Sequence, residues 1–285
     1  MTHLTRSPLH RAALYLSALL LALWTLVPLC WLVSMSLMAP GELVDRPGHL
    51  YPHTPTGASY LQLLRPPDGR TEDAPRGRTL LVRRGWINSL LVAVPVMVLT
   101  VLIALPLGYA LGRLHFRFRS ALLLGLVATR AYPPISVLVP LSAVFVRTGL
   151  QGSLVGLIIA DLTLTIPLVA WIMSGLFASL PRNMERAARV DGLTRWQTFW
   201  RVMLPMAAPG VASCAVIAFL VCWNEFTFSW ILAAGSPAQT FPPTVAGAAA
   251  TELATISVMG LIPPGLLALL FQRHIRRLDI VTPLG

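Results

Sequence analysis

The sequence predicts an all-α integral membrane protein with six transmembrane helices. Three observations carry that expectation. Of the 285 residues, 55% are hydrophobic and only 12% are charged, against about a quarter charged in a soluble domain. The deficit gathers in six apolar runs, each long enough for the roughly 20 helical residues that cross a bilayer core. The arginines, in turn, cluster on alternate connecting segments. Disorder is excluded, because it needs low hydrophobicity.

The elements follow in order. Residues 1–11 form a short cytoplasmic N-terminus, and residues 12–36 the first span, preceded by Arg6 and Arg11. A cleaved signal peptide is the rival for that run. The run is too long for one, and no small-x-small cleavage site follows, so it reads as a retained span. Residues 37–86 hold prolines at 40, 47, 52, 55, 66, 67 and 75 among polar and charged residues. They read as an extended extracytoplasmic loop with one short helix near residues 60–64. The core, 87–272, carries spans at 87–112, 120–146, 152–179, 209–234 and 250–272, and residues 273–285 are a cytoplasmic tail. Pro106, Pro133, Pro134, Pro140, Pro167, Pro263 and Pro264 interrupt the spans. Such breaks suit a bundle whose neighbours or cavity satisfy the freed carbonyls.

Arginine placement sets the orientation. With both termini in the cytoplasm, the inner segments 1–11, 113–119, 180–208 and 273–285 hold 13 of the 22 arginines, and lysine is absent. The outer segment 235–249 has no charge, which fits the positive-inside rule. Segment 37–86 dissents with seven arginines, diluted by five acidic residues. The net charge of +11 therefore reads as a topology signal for a bilayer, and no nucleic-acid partner is expected. Cys30, Cys214 and Cys222 lie in apolar runs without CxxC spacing, and the six histidines show no ligand spacing. No catalytic residue, metal site or cofactor site is expected in this chain.

The segment between spans four and five is the most informative. Residues 183–190 can form a short helix that Gly192 ends in the left-handed conformation. A second helix runs from about Thr194, a candidate N-cap, to Met203. Trp196, Phe199, Trp200 and Met203 recur at helical spacing as one apolar face, with Arg189, Arg195 and Arg201 as the basic complement. Pro205 and Pro209 are expected to close the unit. Two readings stay open: an amphipathic helix lying on the inner leaflet, or a helix–turn–helix knob that docks in a partner's groove.

This run resembles the EAA loop of binding-protein-dependent ABC importer permeases, whose pattern is E-A-A, three residues, G, nine residues, I-x-L-P. Here Ala187-Ala188 precede Gly192 by that spacing, and nine further residues lead to Val202-Met203-Leu204-Pro205. The motif's glutamate falls on Arg186, with Glu185 just before it. Asp191-Gly192 and Trp196-Gln197-x-Phe199-Trp200 resemble the maltose-permease (MalG-like) form of the loop. Trp223-Asn224-Glu225-Phe226, Trp86-x-Asn88-Ser89-Leu90, Pro55-Thr56-x-x-Ser59-Tyr60 and Gln272-Arg273 resemble further runs of that subfamily. Leu193 and Ser59 depart from the usual residues, and the usual G-A-V-K-G tail is missing.

The resemblance implies a type I ABC importer permease architecture in a bacterial cytoplasmic membrane. It implies a second, related permease, two cytoplasmic ATPase subunits, an extracytoplasmic solute-binding protein and a sugar or polyol substrate. In that picture Glu185, Arg186, Ala187, Ala188, Asp191, Gly192, Leu204 and Pro205 couple to the ATPase. The chain has no G-x-x-x-x-G-K-[ST] loop, so ATP and Mg are expected on the partner.

Charges inside a membrane are functional candidates by default. Arg130 and Asp161 both fall about 14–15 Å deep at 1.5 Å per residue, and are expected to form an ion pair between spans, with a solute contact as the alternative. Trp223, Asn224 and Glu225 offer an aromatic face and hydrogen bonding suited to a sugar, or else pack against a partner. Asn88 and Ser89 are expected to cap a helix end. Two other classes compete with an ATP-driven carbohydrate importer. A secondary transporter would often show internal repeats, and a membrane enzyme would need clustered acids, bases or metal ligands. An ABC permease for a solute other than sugar also remains open.

Overall fold

A computed structural model of the chain describes residues 8–39, 41–42, 51–64, 76–248 and 250–275. Every regular element among them is helical. The chain divides into two compact units.

The first unit comprises residues up to Thr79 together with Gly247–Leu261. Helix α1 (Pro8–Ser36) is apolar all round, the composition of a helix solvated by hydrocarbon. The turn after it is held by short polar bonds. Tyr60 Oη donates to Ser36 Oγ at 2.6 Å, and Thr56 N donates to the carbonyl of Leu37 at 2.8 Å. Tyr60 belongs to α2 (Ala58–Leu64), the short helix expected near residues 60–64. Glu42 Oε1 accepts from both the backbone and the hydroxyl of Thr54. The arginines at 46, 65 and 70 lie outside the described residues.

The second unit, Leu80–Ala246 together with the residues from Ile262 on, holds the remaining helices in whole or in part. Helix α3 runs Arg76–Arg113, starting well before the span expected at residue 87. The turn signals of the preceding loop stop at Pro75, and Arg76 to Gly85 contain no helix breaker that outweighs continuation. Helix α6 (Leu154–Ser179) begins at Ser153, whose hydroxyl accepts from Gly156 N at 3.0 Å. It crosses α3 where Gly108 and Gly112 present no side chain. A Cβ on Gly108 would stand 2.5 Å from Met173 Cβ, and one on Gly112 2.5 Å from the carbonyl of Ser174. This is the small-xxx-small device that lets membrane helices pack backbone to backbone. Thr100 and Thr165 hydroxyls bond across the same crossing at 2.7 Å.

The third span is two helices, α4 (Arg119–Ala128) and α5 (Pro134–Thr148). The break falls at residues 129–133, because Pro133 and Pro134 cannot donate to the preceding turn. Helix α5 ends at Gly149, in the left-handed conformation at φ 71°. The fifth span is likewise divided into α9 (Leu204–Trp223) and α10 (Thr227–Ala233). Helix α11 (Phe241–Ala246) precedes α12 (Ala250–Ile275), which carries Pro263 and Pro264. Five described helices are long and apolar enough to cross a membrane, and the broken third span adds two shorter ones.

Two buried clusters order this unit. One joins Val92, Val96, Leu138, Leu157, Phe219, Trp223 and Phe228. The other joins Leu105, Tyr109, Met173, Phe177, Phe199 and Met203, toward the opposite end of α3.

Candidate functional site

The segment after α6 folds as a helix–turn–helix. Helix α7 (Arg182–Val190) ends at Asp191, and Gly192 then takes φ 82°, a conformation that costs glycine nothing. Leu193 N returns to the carbonyl of Ala188 at 3.0 Å, closing the turn. Thr194 starts α8 (Arg195–Thr198) with a reciprocal cap. Its hydroxyl accepts from Gln197 N at 3.3 Å, and Gln197 Oε1 accepts from Thr194 N at 2.9 Å.

From there the chain stays helical into α9, through a π-helical segment at Phe199–Met203. Pro205 and Pro209 therefore do not close the unit. In the wider turn Leu204 N donates to the carbonyl of Phe199, and the looser spacing accommodates Pro205 in the first turn of α9. The same turn splits the expected apolar face. Phe199 and Met203 point into the core, while Trp196 and Trp200 stay 65% and 45% exposed.

This loop is tied to the ends of two spans. Tyr109 Oη, near the end of α3, donates to Glu185 Oε1 at 3.3 Å. Its ring packs edge-on against Phe177 at 5.5 Å and tilted against Phe199 at 4.8 Å. Arg113 donates to the carbonyl of Leu180, the residue that ends α6. Its Nε and Nη1 are enclosed without a hydrogen-bond partner. Ala188 is buried against this base, Leu204 is half-buried, and Arg186, Ala187, Asp191, Gly192 and Pro205 are exposed. Glu185 thus faces the spans, whereas Arg186, in the motif's acidic position, faces away.

The intramembrane charges are arranged differently from the expected pair. The structure does not bring Arg130 and Asp161 together. Arg130 Nη1 donates to the carbonyl of Leu164 at 3.2 Å. Asp161 is 4% exposed, its Oδ2 accepts the Cys222 thiol at 2.9 Å, and its Oδ1 has no hydrogen-bond partner. The break at residues 129–133 turns Arg130 out of the bundle, while Asp161 lies on the inward stripe of α6.

The run 223–225 is mostly structural too. Trp223 is buried, stacked 5.6 Å from Phe219 and 6.2 Å from Phe241, with Trp86 edge-on at 6.2 Å. Its ring faces are not open to a solute. Glu225 accepts Phe228 N at 2.8 Å and Ser229 N at 3.1 Å, so it caps α10 with both oxygens. Asn224 is exposed and bonds back to the carbonyl of Leu220. The cavity among Ser89, Asp161, Cys222, Glu225, Ser229 and Thr240 has room for a single water and far too little for a sugar.

Asn88 and Ser89 do not cap a helix end, because α3 starts twelve residues before Asn88, at Arg76. They are buried mid-helix and hold the segment between α10 and α11. Asn88 Nδ2 donates to the carbonyls of Pro237 and Gln239 at 2.8 and 2.9 Å, and Ser89 Oγ accepts from Phe241 N at 2.9 Å. The signal for this was two adjacent polar residues inside a run otherwise fit for hydrocarbon.

Comparison with known proteins gives this arrangement its family. Residues 104–278 match the family model described as the binding-protein-dependent transport system inner membrane component. The chain is 30% identical over 267 residues to the sulfoquinovosyl glycerol transport system permease protein SmoH of Agrobacterium fabrum, covering 92% of this chain and 89% of that one. It is 30% identical to the trehalose transport system permease protein SugB of Mycobacterium tuberculosis, over 88% of this chain and 89% of that one. In fold it is similar to a chain of a bacterial ABC transporter involved in the import of the acidic polysaccharide alginate. The TM-score there is 0.70 at 20% identity, over 96% of this chain and 99% of that one. The match of family model to the spans and the loop between them, with these relatives along nearly the whole length, places the chain in the family of binding-protein-dependent transport system inner membrane components.

Proposed function

We propose that this chain is the permease subunit of an ATP-driven carbohydrate importer. It forms half of the translocation pathway, beside a second, related permease. Two cytoplasmic ATPase subunits drive it, this chain's helix–turn–helix sits in a groove of an ATPase, and an extracytoplasmic binding protein delivers a sugar or polyol. The observation that carries this reading is the mounting of the loop. Its base is fastened to α3 and α6 by Tyr109, Arg113 and Ala188, while Arg186, Ala187, Val190 and Trp196 are left exposed on its other side. A push on that exposed side is passed to both spans, because the contacts beneath it are a carboxylate bond and a packed aromatic cluster.

The carbohydrate assignment is supported by the relatives, whose names carry sulfoquinovosyl glycerol and trehalose. Arginine placement supports a loop, an N-terminus and a C-terminus in the cytoplasm of a bacterial cell. ATP and Mg belong to the partner subunits, because the sequence has no phosphate-binding loop of its own. Purification of the chain from its native membrane tests the reading. ATPase subunits are expected to co-purify and to carry all the ATP hydrolysis. Hydrolysis by the chain alone, or a chain that never retains an ATPase, overturns it.

A further inference from the structure

The break in the third span leaves a cation facing out of the chain at mid-membrane. Arg130 lies between α4 and α5, and among the described residues the one hydrogen bond of its guanidinium goes to the carbonyl of Leu164. Leu164 is near the middle of α6 (Leu154–Ser179), about 15 Å from its first residue at 1.5 Å per residue. That contact holds the guanidinium at mid-span depth. It uses one of five N–H donors.

The described residues leave the other donors open. Every residue from 129 to 137 is exposed, and α4 buries none of its residues. Of the two acidic groups in the fourth and fifth spans, Asp161 is buried with its Oδ2 on the Cys222 thiol, and Glu225 caps α10 with both oxygens. Hydrocarbon cannot solvate a guanidinium, and non-helical backbone at this depth is tolerated only inside protein or along water. The first turn of α5 begins at the same break, so the positive end of its dipole adds to the arginine's charge. A water-filled route satisfies both features, and its positive lining favours a solute of opposite sign.

We propose that Arg130 is a solute-binding residue on the translocation route, taking the carboxylate, sulfonate or phosphate group of an anionic carbohydrate. This rests on the importer reading and narrows its substrate class. The competing occupant is an acidic side chain of the second permease.

The test uses the complete importer, with its ATPases and binding protein, in proteoliposomes. Uptake of labelled maltose and of a labelled uronic-acid disaccharide is measured for wild type, Arg130→Gln and Arg130→Lys. Wild type is expected to carry the uronic-acid probe. Arg130→Gln should lower that uptake at least tenfold and Arg130→Lys less than threefold, with the second permease retained in both. Wild-type uptake of maltose alone overturns this proposal and leaves the importer reading standing. Equal uptake of the acidic probe by Arg130→Gln also overturns it, and loss of the second permease on that substitution assigns Arg130 to the subunit interface instead. Uptake of neither probe by wild type also overturns this proposal and leaves the importer reading standing.

Discussion

Tyr109 donates its hydroxyl to Glu185 across 3.3 Å, so an acidic residue of the loop is bonded to the last turns of α3. Tyr109→Phe keeps the ring packing on Phe177 and Phe199 and loses only this bond, about 0.5–1.5 kcal/mol of stability. Transport per ATP hydrolysed should fall more than stability does. Tyr109→Ala also empties the aromatic cluster and should cost about 3–5 kcal/mol. Thermal unfolding of the purified complex, read beside the uptake-to-hydrolysis ratio, separates the two effects.

Asn88 serves two carbonyls with one amide. Asn88→Ala leaves the carbonyls of Pro237 and Gln239 without their donor, and is expected to cost about 1–3 kcal/mol. Asn88→Asp should be worse than alanine, because a carboxylate oxygen replaces the donor opposite two acceptors. A thermal midpoint for the aspartate variant equal to or above that of the alanine variant would contradict this role.

The glycines of α3 and α4 make a graded series. Gly112→Ala places a methyl 2.5 Å from the backbone carbonyl of Ser174, so α3 and α6 must separate. Overpacking of this kind costs about 1–3 kcal/mol or more. Gly125→Ala meets nothing within 4 Å and should be neutral or slightly stabilising, since alanine favours helix. Expression level and unfolding temperature in detergent report the difference.

Arg130 and Asp161 should behave as independent sites. A double-mutant cycle with alanine at both is expected to be additive within about 0.5 kcal/mol. Cys222→Ser keeps a donor for Asp161 Oδ2 and should be tolerated, whereas Cys222→Ala leaves that oxygen unpartnered and should cost about 1–3 kcal/mol. Coupling above 1 kcal/mol between positions 130 and 161 would restore the ion pair.

The spans, the loop and its turn were legible in the sequence because each has a local cause. Apolar length marks α1 and α6, Gly192 marks the left-handed turn, and Thr194 marks the second helix start. What escaped depends on contacts made far along the chain. Asn88 looks like a cap until residues 237–241 fold beside it. Glu225 looks like a pathway residue until the chain turns at Asn224 and presents two backbone N–H groups to it. The charge of Arg130 and Asp161 suggested attraction, but the proline break turns Arg130 outward while Asp161 stays on the inward stripe of α6. The π-helical turn at Phe199–Met203 has no periodicity of its own, so a 3.6-residue pattern placed four aromatic and apolar residues on one face where the fold puts two.

The central claim is that ATP hydrolysed on partner subunits drives solute movement through this chain. Its most direct measurement is uptake of labelled carbohydrate into vesicles bearing the complete importer, with ATP and the ion gradient removed separately. The account predicts that uptake stops on ATP depletion and persists when the gradient is collapsed. Uptake that survives ATP depletion and stops with the gradient would contradict it and identify an ion-coupled secondary transporter.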